Sequence, residues 1–558
     1  MTIASPIFNL VSIQESKEKI FDAWGKVRER AIGLLNKNEE LNNELKESKT
    51  EVQRLKNYIA KAEGRPERPE IKPSSSDKES RGKICKDGDQ KNTSKKEKEG
   101  GANNQSKAEK KPIVIHDTVK ITIDNTPDDW TFKGYKRYVV QNIKIEQFNT
   151  EYLRAYYVDK DGKLHFAKLP ENVKNNGRYG EALKAFVQYI YHGLRSTEGL
   201  VEILLKDFGF QISKATIHKI IVDALKLKEE YYSILKTALL NSVYVQVDDT
   251  KEIHNNKNGY FTQIANEAFT WFAAHDSKSK ITFLETLHAG EISYLFNETS
   301  IEYLKVKNVS ELPELEFHTL YGTKEKFQKY IDSLEIKNKT TLRYLEEAAL
   351  FTSLINMNIS LDMFIMSDDA GQFNIFKRIL CWIHIERNIK KLSHVSDDFK
   401  GEVELILSKV WDIYFDLKKY KKSPNDELKD DITKQFDNLV GTEIHYIELQ
   451  KQLSKLSRKK EELLAVLENP LLPLHNNLSE NNMRNVVICR DIRGSTHSEA
   501  GRLVKCIMLT IYSTCRKCCV SFWDFLLSKT SLRPAMLQLN EIVKNRIYKL
   551  DIGRLGVG

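Results

Sequence analysis

Long apolar runs are missing from this chain. No stretch approaches the roughly 20 consecutive apolar residues that cross a bilayer, and the first residues lack the basic, apolar, small-residue order of a secretory leader, so the sequence predicts a cytoplasmic protein without a membrane partner. Cysteine is scarce too: seven are spread over 558 residues, none between Cys85 and Cys381, which excludes a disulfide framework. Cys515, Cys518 and Cys519 cluster in STCRKCC, but zinc needs a second ligand pair at suitable spacing and none is present, so they read as reduced cysteines on a helix. Charge of a single sign is also lacking. The net charge of +9 is what remains of 87 Lys and Arg against 78 Asp and Glu, a patterned balance that points to a polyanionic partner, nucleic acid first.

What is present is enough length for three or four folded units and, at 41% hydrophobic residues, enough apolar material for their cores. In residues 1–63 two interlocked seven-residue series, Ile20, Val27, Leu34, Leu41 and Trp24, Ala31, Asn38, Leu45, Val52, Ile59, form an a/d seam. That seam predicts a coiled coil joining two or more copies, with Asn38 at an a position fixing register. Residues 64–112 are rich in Lys, Glu, Ser, Pro and Gly and read as a disordered linker. Residues 113–176 alternate in IVIHDTVKITID, YKRYVVQNIKI and LRAYYVDKDGKLHFAKL, predicting a small β-rich module with a DKDG turn.

Residues 177–240 read as helical, and STEGLVEILLKDFGFQISKATIHKIIVDAL as a helix-turn-helix. Leu200, Ile203 and Leu204 supply one apolar face, Gly209 the turn and Ser213 the N-cap, while Ile217, Ile220 and Ile221 face inward. Lys214, His218 and Lys219 are then left outward, where a recognition helix meets bases or phosphates. A plain helical hairpin is the alternative.

Three separated acids carry the chemical argument: Asp248 in VYVQVDDT, Asp368 in MFIMSDDAGQF and Glu480 in LPLHNNLSENNMR. The first two follow runs that read as buried strands, and the third opens a helix after an Asn-Asn turn. The segment from Asn241 to Leu287 reads as a three-stranded meander with an NKNG turn, and GQFNIFKRILCWIHIERNIKKL as a helix. The expected fold is therefore multidomain α+β: a ribonuclease H-like core of mixed sheet and helices over 241–535, interrupted by helical insertions at about 291–357 and 399–469 and followed by a tail at 536–558. Aspartate and glutamate offer the hard anionic oxygens that magnesium prefers, and two such ions serve phosphoryl transfer on DNA by activating the attacking oxygen and stabilising the leaving one.

The surrounding words give this pattern a family. From about Tyr179 to Leu527 the sequence resembles the insertion-sequence-66 family of DDE transposases, most specifically at Asn476, Asn477, Leu478, Glu480 and Arg484. The resemblance implies Asp248, Asp368 and Glu480 as catalytic metal ligands for two Mg2+ ions, which Mn2+ can replace, with Asp249 and Asp369 as one-residue alternatives. It also implies a transposase acting on transposon ends and target DNA in the bacterial nucleoid, alongside small accessory proteins. The rival readings are a nuclease of the same fold and an inactive regulator.

Cys381, Trp382, His384 and Arg387 resemble the family's Cys-Trp-x-His motif, read here as a buried tryptophan with a satisfied histidine behind the sheet. Arg387 is expected on a DNA-facing helix. Arg484 either pairs with Glu480 one turn away or grips phosphate, and Arg490, Arg493 and His497, around Gly494, are expected to meet the DNA backbone. The family's cysteine-rich segment upstream of the helical region is replaced here by the stretch from Ile113.

Overall fold

The computed structural model describes Lys37 and residues 115–122, 130, 133–143, 145–170, 173, 177–309, 312–392 and 399–554. Apart from Lys37, the expected coiled coil and linker lie outside the described residues. Among the described residues of the predicted β-rich module one hairpin forms, β1 (Tyr156–Val158) and β2 (Leu164–Phe166), paired antiparallel. Its DKDG turn forms as expected: the Asp159 carboxylate accepts the N–H groups of Asp161 at 3.1 Å and Lys163 at 2.8 Å, and Gly162 takes φ 77°. The described parts of IVIHDTVKITID and YKRYVVQNIKI form no strand, and Val119, Ile121, Tyr138, Val140 and Ile143 stand exposed. Alternation alone does not make a strand, because an extended segment also needs a partner edge and a covered face.

The helical region contains α1 (Glu181–Gln188), α2 (Glu198–Asp207), α3 (Lys214–Val222) and α4 (Lys228–Asn241). Thr197 caps α2 and Ser213 caps α3, each side chain accepting a backbone N–H three residues on, and Gly209 between them has φ 83°. In α3 Ile217, Ile220 and Ile221 are buried as the pattern predicts. In α2 the buried face is Val201 and Leu205 instead, and Leu200 and Ile203 are each 56% exposed. A helix with apolar residues on two sides leaves its buried side to its neighbours, which the local pattern cannot choose.

A five-stranded mixed sheet follows, in the order β5-β4-β3-β6-β7. β3 (Tyr244–His254), β4 (Lys257–Ala265) and β5 (Thr270–His275) are antiparallel, while β6 (Phe364–Ser367) and β7 (Lys377–Leu380) run parallel to β3 and to each other. The β3–β4 turn is Asn255-Asn256, both at positive φ, so that only the first residue of the expected NKNG turn lies in it, and Lys257, Asn258 and Gly259 belong to β4. The KITFLETL part of the expected third strand is instead α5 (Lys280–Leu287), started by a Ser279 cap. KRIL, expected as helix, is strand β7: four residues bearing two basic side chains carry no period of their own, and pairing with β6 decides their state.

The first helical interruption holds α6 (Glu298–Val306), α7 (Lys324–Ser333) and α8 (Lys339–Asn356). After α9 (Trp382–Lys391), the second holds α10 (Lys400–Lys422), α11 (Asp426–Val440), α12 (Ile447–Ser457) and α13 (Lys460–Leu464). The chain returns through α14 (Asn477–Arg493), α15 (Glu499–Lys517), α16 (Phe522–Ser528) and α17 (Leu539–Arg554). Along the outer strand β5, the Thr510 and Thr514 hydroxyls of α15 accept the N–H groups of Phe272 and Thr270 at 3.0 and 3.3 Å, closing an edge that would otherwise expose unpaired donors. Among the described residues no helix is long and apolar enough to cross a membrane.

Candidate active site

β3 and β6 lie side by side and parallel, with Gln246 opposite Met366. Two residues further along each, Asp248 and Asp368 come level on the same face. Asp248 is partly buried, and its carboxyl is pushed up to about 7, first by burial and then by the charge of Asp368, with smaller contributions from Asp249 and Glu480. The same effects that raise it bring the three predicted acids within electrostatic reach of one another. Asp248 accepts the Asp249 N–H at 2.9 Å and Asp368 that of Ala370 at 3.2 Å, and neither carboxylate has a cationic partner among the described residues.

Their acidic neighbours are engaged elsewhere. Asp249 accepts from the Thr262 hydroxyl at 2.6 Å and the Gln372 amide at 2.8 Å, with Lys278 Nζ 3.7 Å away. Asp369 pairs with Arg378 of β7 and with Lys459, which lies between α12 and α13. Burial pushes the Asp369 carboxyl up, but these two cations outweigh it and hold it below the usual aspartate value.

Glu480 arrives on the first turn of α14, and that helix is fastened to the sheet beside Asp248. Asn476 is 1% exposed; its side-chain amide donates to the Val247 carbonyl at 3.2 Å, and its backbone N–H meets Cys381 Sγ at 3.2 Å. One turn on, the Ser479 hydroxyl accepts from Gln263 of β4 at 3.1 Å. The Trp382 indole donates to the Leu463 carbonyl at 3.0 Å, so the tryptophan is the buried anchor the sequence predicts. The histidine of that motif is different. His384 Nε2 stands 3.9 Å from Glu480 and its buried Nδ1 has no hydrogen-bond partner, so it is neither satisfied nor remote from the acids. Burial lowers its pKa, against the pull of Glu480.

Glu480 is gripped by Arg387, Nη1 to Oε1 at 2.6 Å and Nη2 to Oε2 at 3.2 Å. Of the two alternatives for Arg484, pairing with Glu480 is not formed: Arg484 is exposed and has no partner among the described residues. Arg490 donates to the Lys251 carbonyl at 2.7 Å. Arg493 donates to the Ser196 carbonyl at 3.0 Å and to that of Tyr191, and its guanidinium lies 3.9 Å over the Tyr191 ring. Both arginines, expected at the DNA backbone, bond protein carbonyls, and Arg493 ties the helical region to the end of α14. Lys214, His218 and Lys219 are exposed on α3, apart from the acids, with His218 Nδ1 2.7 Å from Glu198.

Among the described residues no three His, Cys, Asp or Glu side chains converge tightly enough to form a finished metal cage. The donor set nonetheless suits a hard divalent ion. Asp248 and Asp368, neither with a cationic partner among the described residues, lie within electrostatic reach of each other, and the oxygens of Glu480 are paired with Arg387. Gln372, Lys278 and Gln263 carry no candidate role in the sequence, whereas Asn476 stands out there as part of the family resemblance. Gln372 lies within DDAGQF and was within reach of that reading, whereas Gln263 and Lys278 carry no local signal.

The sequence profile of the Transposase IS66 family matches residues 358–502, which include β6, Asp368, the α10–α13 block and Glu480, but not Asp248. A protein of Sinorhizobium fredii (strain NBRC 101917 / NGR234), described as the uncharacterized protein y4jO, is 34% identical over 299 residues, covering 52% of this chain and 93% of that protein. This chain belongs to the IS66 transposase family. Within the IS66 match fall Arg387, His384 and the Asn476 anchor, so the contacts that hold Glu480 to α9 and to the sheet lie mostly inside the shared region.

Proposed function

We propose that the chain is a DDE-type transposase that binds transposon ends and carries out metal-dependent DNA cleavage and strand transfer. The observation that carries this reading is the proximity of Asp248, within β3, to Asp368, just past the end of the adjacent parallel strand β6, both without cations among the described residues, together with the helix that brings Glu480. The strand order, three antiparallel strands followed by two parallel ones, supports the ribonuclease H-like reading of the sheet. Asp248, Asp368 and Glu480 would hold two divalent ions of the magnesium class, which supply Lewis acidity at the phosphate and an activated oxygen nucleophile at neutral pH.

The chain's own residues then orient and neutralise. Asn476 and Ser479 fix the helix that carries Glu480, Asp249 and Asp369 are kept out of the site by their own partners, and Arg387 balances Glu480. Exposed Lys214 and Lys219 on α3 and Arg484 on α14 offer cations to DNA phosphates. The reaction is hydrolysis at the 3′ ends of the element followed by in-line attack of the freed 3′-hydroxyl on target DNA, with copies joined through residues 1–63. A strand-transfer assay on DNA carrying the element's own ends tests this. Joined products that vanish in Asp248→Asn, Asp368→Asn and Glu480→Gln are expected. Cleaved but never joined ends would make the chain a nuclease, and joining that survives all three substitutions would remove the triad.

A further inference from the structure

Asp369 is a non-glycine residue at φ 81°, in the left-handed region that L side chains disfavour, and it directly follows Asp368. The turn it occupies is tightly bonded: the Asp369 N–H reaches the buried Ser367 hydroxyl at 3.4 Å, and the Ala370 N–H reaches the Asp368 carboxylate at 3.2 Å. Such a backbone persists only where surrounding contacts over-determine it. Those contacts come from outside the turn. Arg378 of β7, 11% exposed, bonds Asp369 through Nη2 at 2.5 Å and Glu462 of α13 through Nη1 at 3.2 Å, while Lys459 bonds the other Asp369 oxygen. Lys459 and Glu462 belong to the second helical interruption, more than 80 residues along the chain from β6, with α13 packed against β7.

Resting on the triad reading above, we infer that Asp369 is a positioning residue through which the second helical interruption sets the Asp368 carboxylate. The Lys459–Asp369–Arg378–Glu462 chain holds the turn after β6 in its left-handed form. That form directs Asp368 toward Asp248 and leaves it free of cations, because Asp369 takes both of them. The interruption is then a buttress of the metal site as well as an inserted bundle. Residues that support metal ligands in this way typically change metal affinity by 10–100-fold when removed.

The test is calorimetric titration of the full-length chain with Mn2+ alone, in the absence of DNA, alongside thermal melting. Lys459→Ala is expected to weaken Mn2+ binding about tenfold with little change in melting, and Lys459→Arg to restore it. Asp369→Gly, which suits the backbone but removes both ion pairs, is expected to weaken binding to the same extent. Mn2+ binding that is unchanged in Lys459→Ala or in Asp369→Gly, while Asp368→Asn abolishes it, overturns the inference and leaves the triad standing. Binding indifferent to Asp368→Asn overturns the triad reading itself.

Discussion

Arg387 and Glu480 form a two-point pair, both guanidinium Nη atoms meeting both carboxylate oxygens at 2.6 and 3.2 Å, with each side chain less than one-fifth exposed. The pair is both a structural bond and a competitor for the site, since a carboxylate held at both oxygens is not free to ligate an ion. Arg387→Gln therefore has two opposite effects. It is expected to lower metal-free stability by about 2 kcal/mol, because Glu480 is left half-desolvated without a countercharge. It also makes Glu480 available, so Mn2+ should raise the melting temperature of Arg387→Gln more than that of the wild type. Equal Mn2+-induced shifts would show that Arg387 does not compete.

The raised carboxyl of Asp248 predicts a pH signature. Between the ordinary value of 3.8 and about 7 the folded chain keeps a proton that the unfolded chain has released. The resulting contribution to stability is complete below about pH 4 and is lost as pH climbs through about 7. Metal-free melting temperature should thus fall more steeply from about pH 5 to about pH 8 in the wild type than in Asp248→Asn, which has no proton to lose. Parallel profiles would refute the assignment.

Asn476 joins the Glu480 helix to the strand bearing Asp248 through one buried amide. Asn476→Ala is expected to cost about 1–3 kcal/mol in denaturant unfolding, since the Val247 carbonyl loses its side-chain donor inside the protein. Strand transfer should decline by more than the unfolded fraction accounts for, as Glu480 loses its anchor.

Arg493 fastens the helical region to α14 through two carbonyls and the Tyr191 ring. Arg493→Ala is expected to speed backbone hydrogen exchange across residues 189–197 while exchange in β3 and β4 stays slow. Uniform change across the chain would indicate a global loss of stability instead.

On α3, Lys214→Ala and Lys219→Ala should each weaken DNA binding across sequences and reduce the salt slope by about 1, as expected when a phosphate contact is removed. An unchanged slope would place the DNA elsewhere.

How far the sequence could be read depended on whether local pattern or distant contact decides a residue's state. VYVQVDD and FIMSDD are long enough in β-branched and apolar residues to announce strands; β3 runs on through Asp248 to His254, Asp368 follows β6 directly, and Glu480 lies in the first turn of α14. The caps at Thr197, Ser213 and Ser279 follow from short-range hydrogen bonding, and Ser213 is the one expected from the sequence. Lys377–Leu380 became a strand because β6 lies beside it, and Leu200 turned outward because Val201 had the better neighbours. That Asp249 and Asp369 are engaged by Thr262, Gln372, Arg378 and Lys459 has no local signal, since some of these partners lie more than 80 residues away. Arg387 showed its charge in the sequence but not its target, which lies 93 residues on.

The spacing of the three acids has a consequence for synthesis. Asp248 and Asp368 leave the ribosome well before Glu480, and the anchors at Asn476 and Ser479 come with the last of them. On the triad reading, a nascent chain has its sheet ligands early but no working site until α14 has emerged and docked. A stalled or prematurely ended copy would therefore carry no competent nuclease to the chromosome.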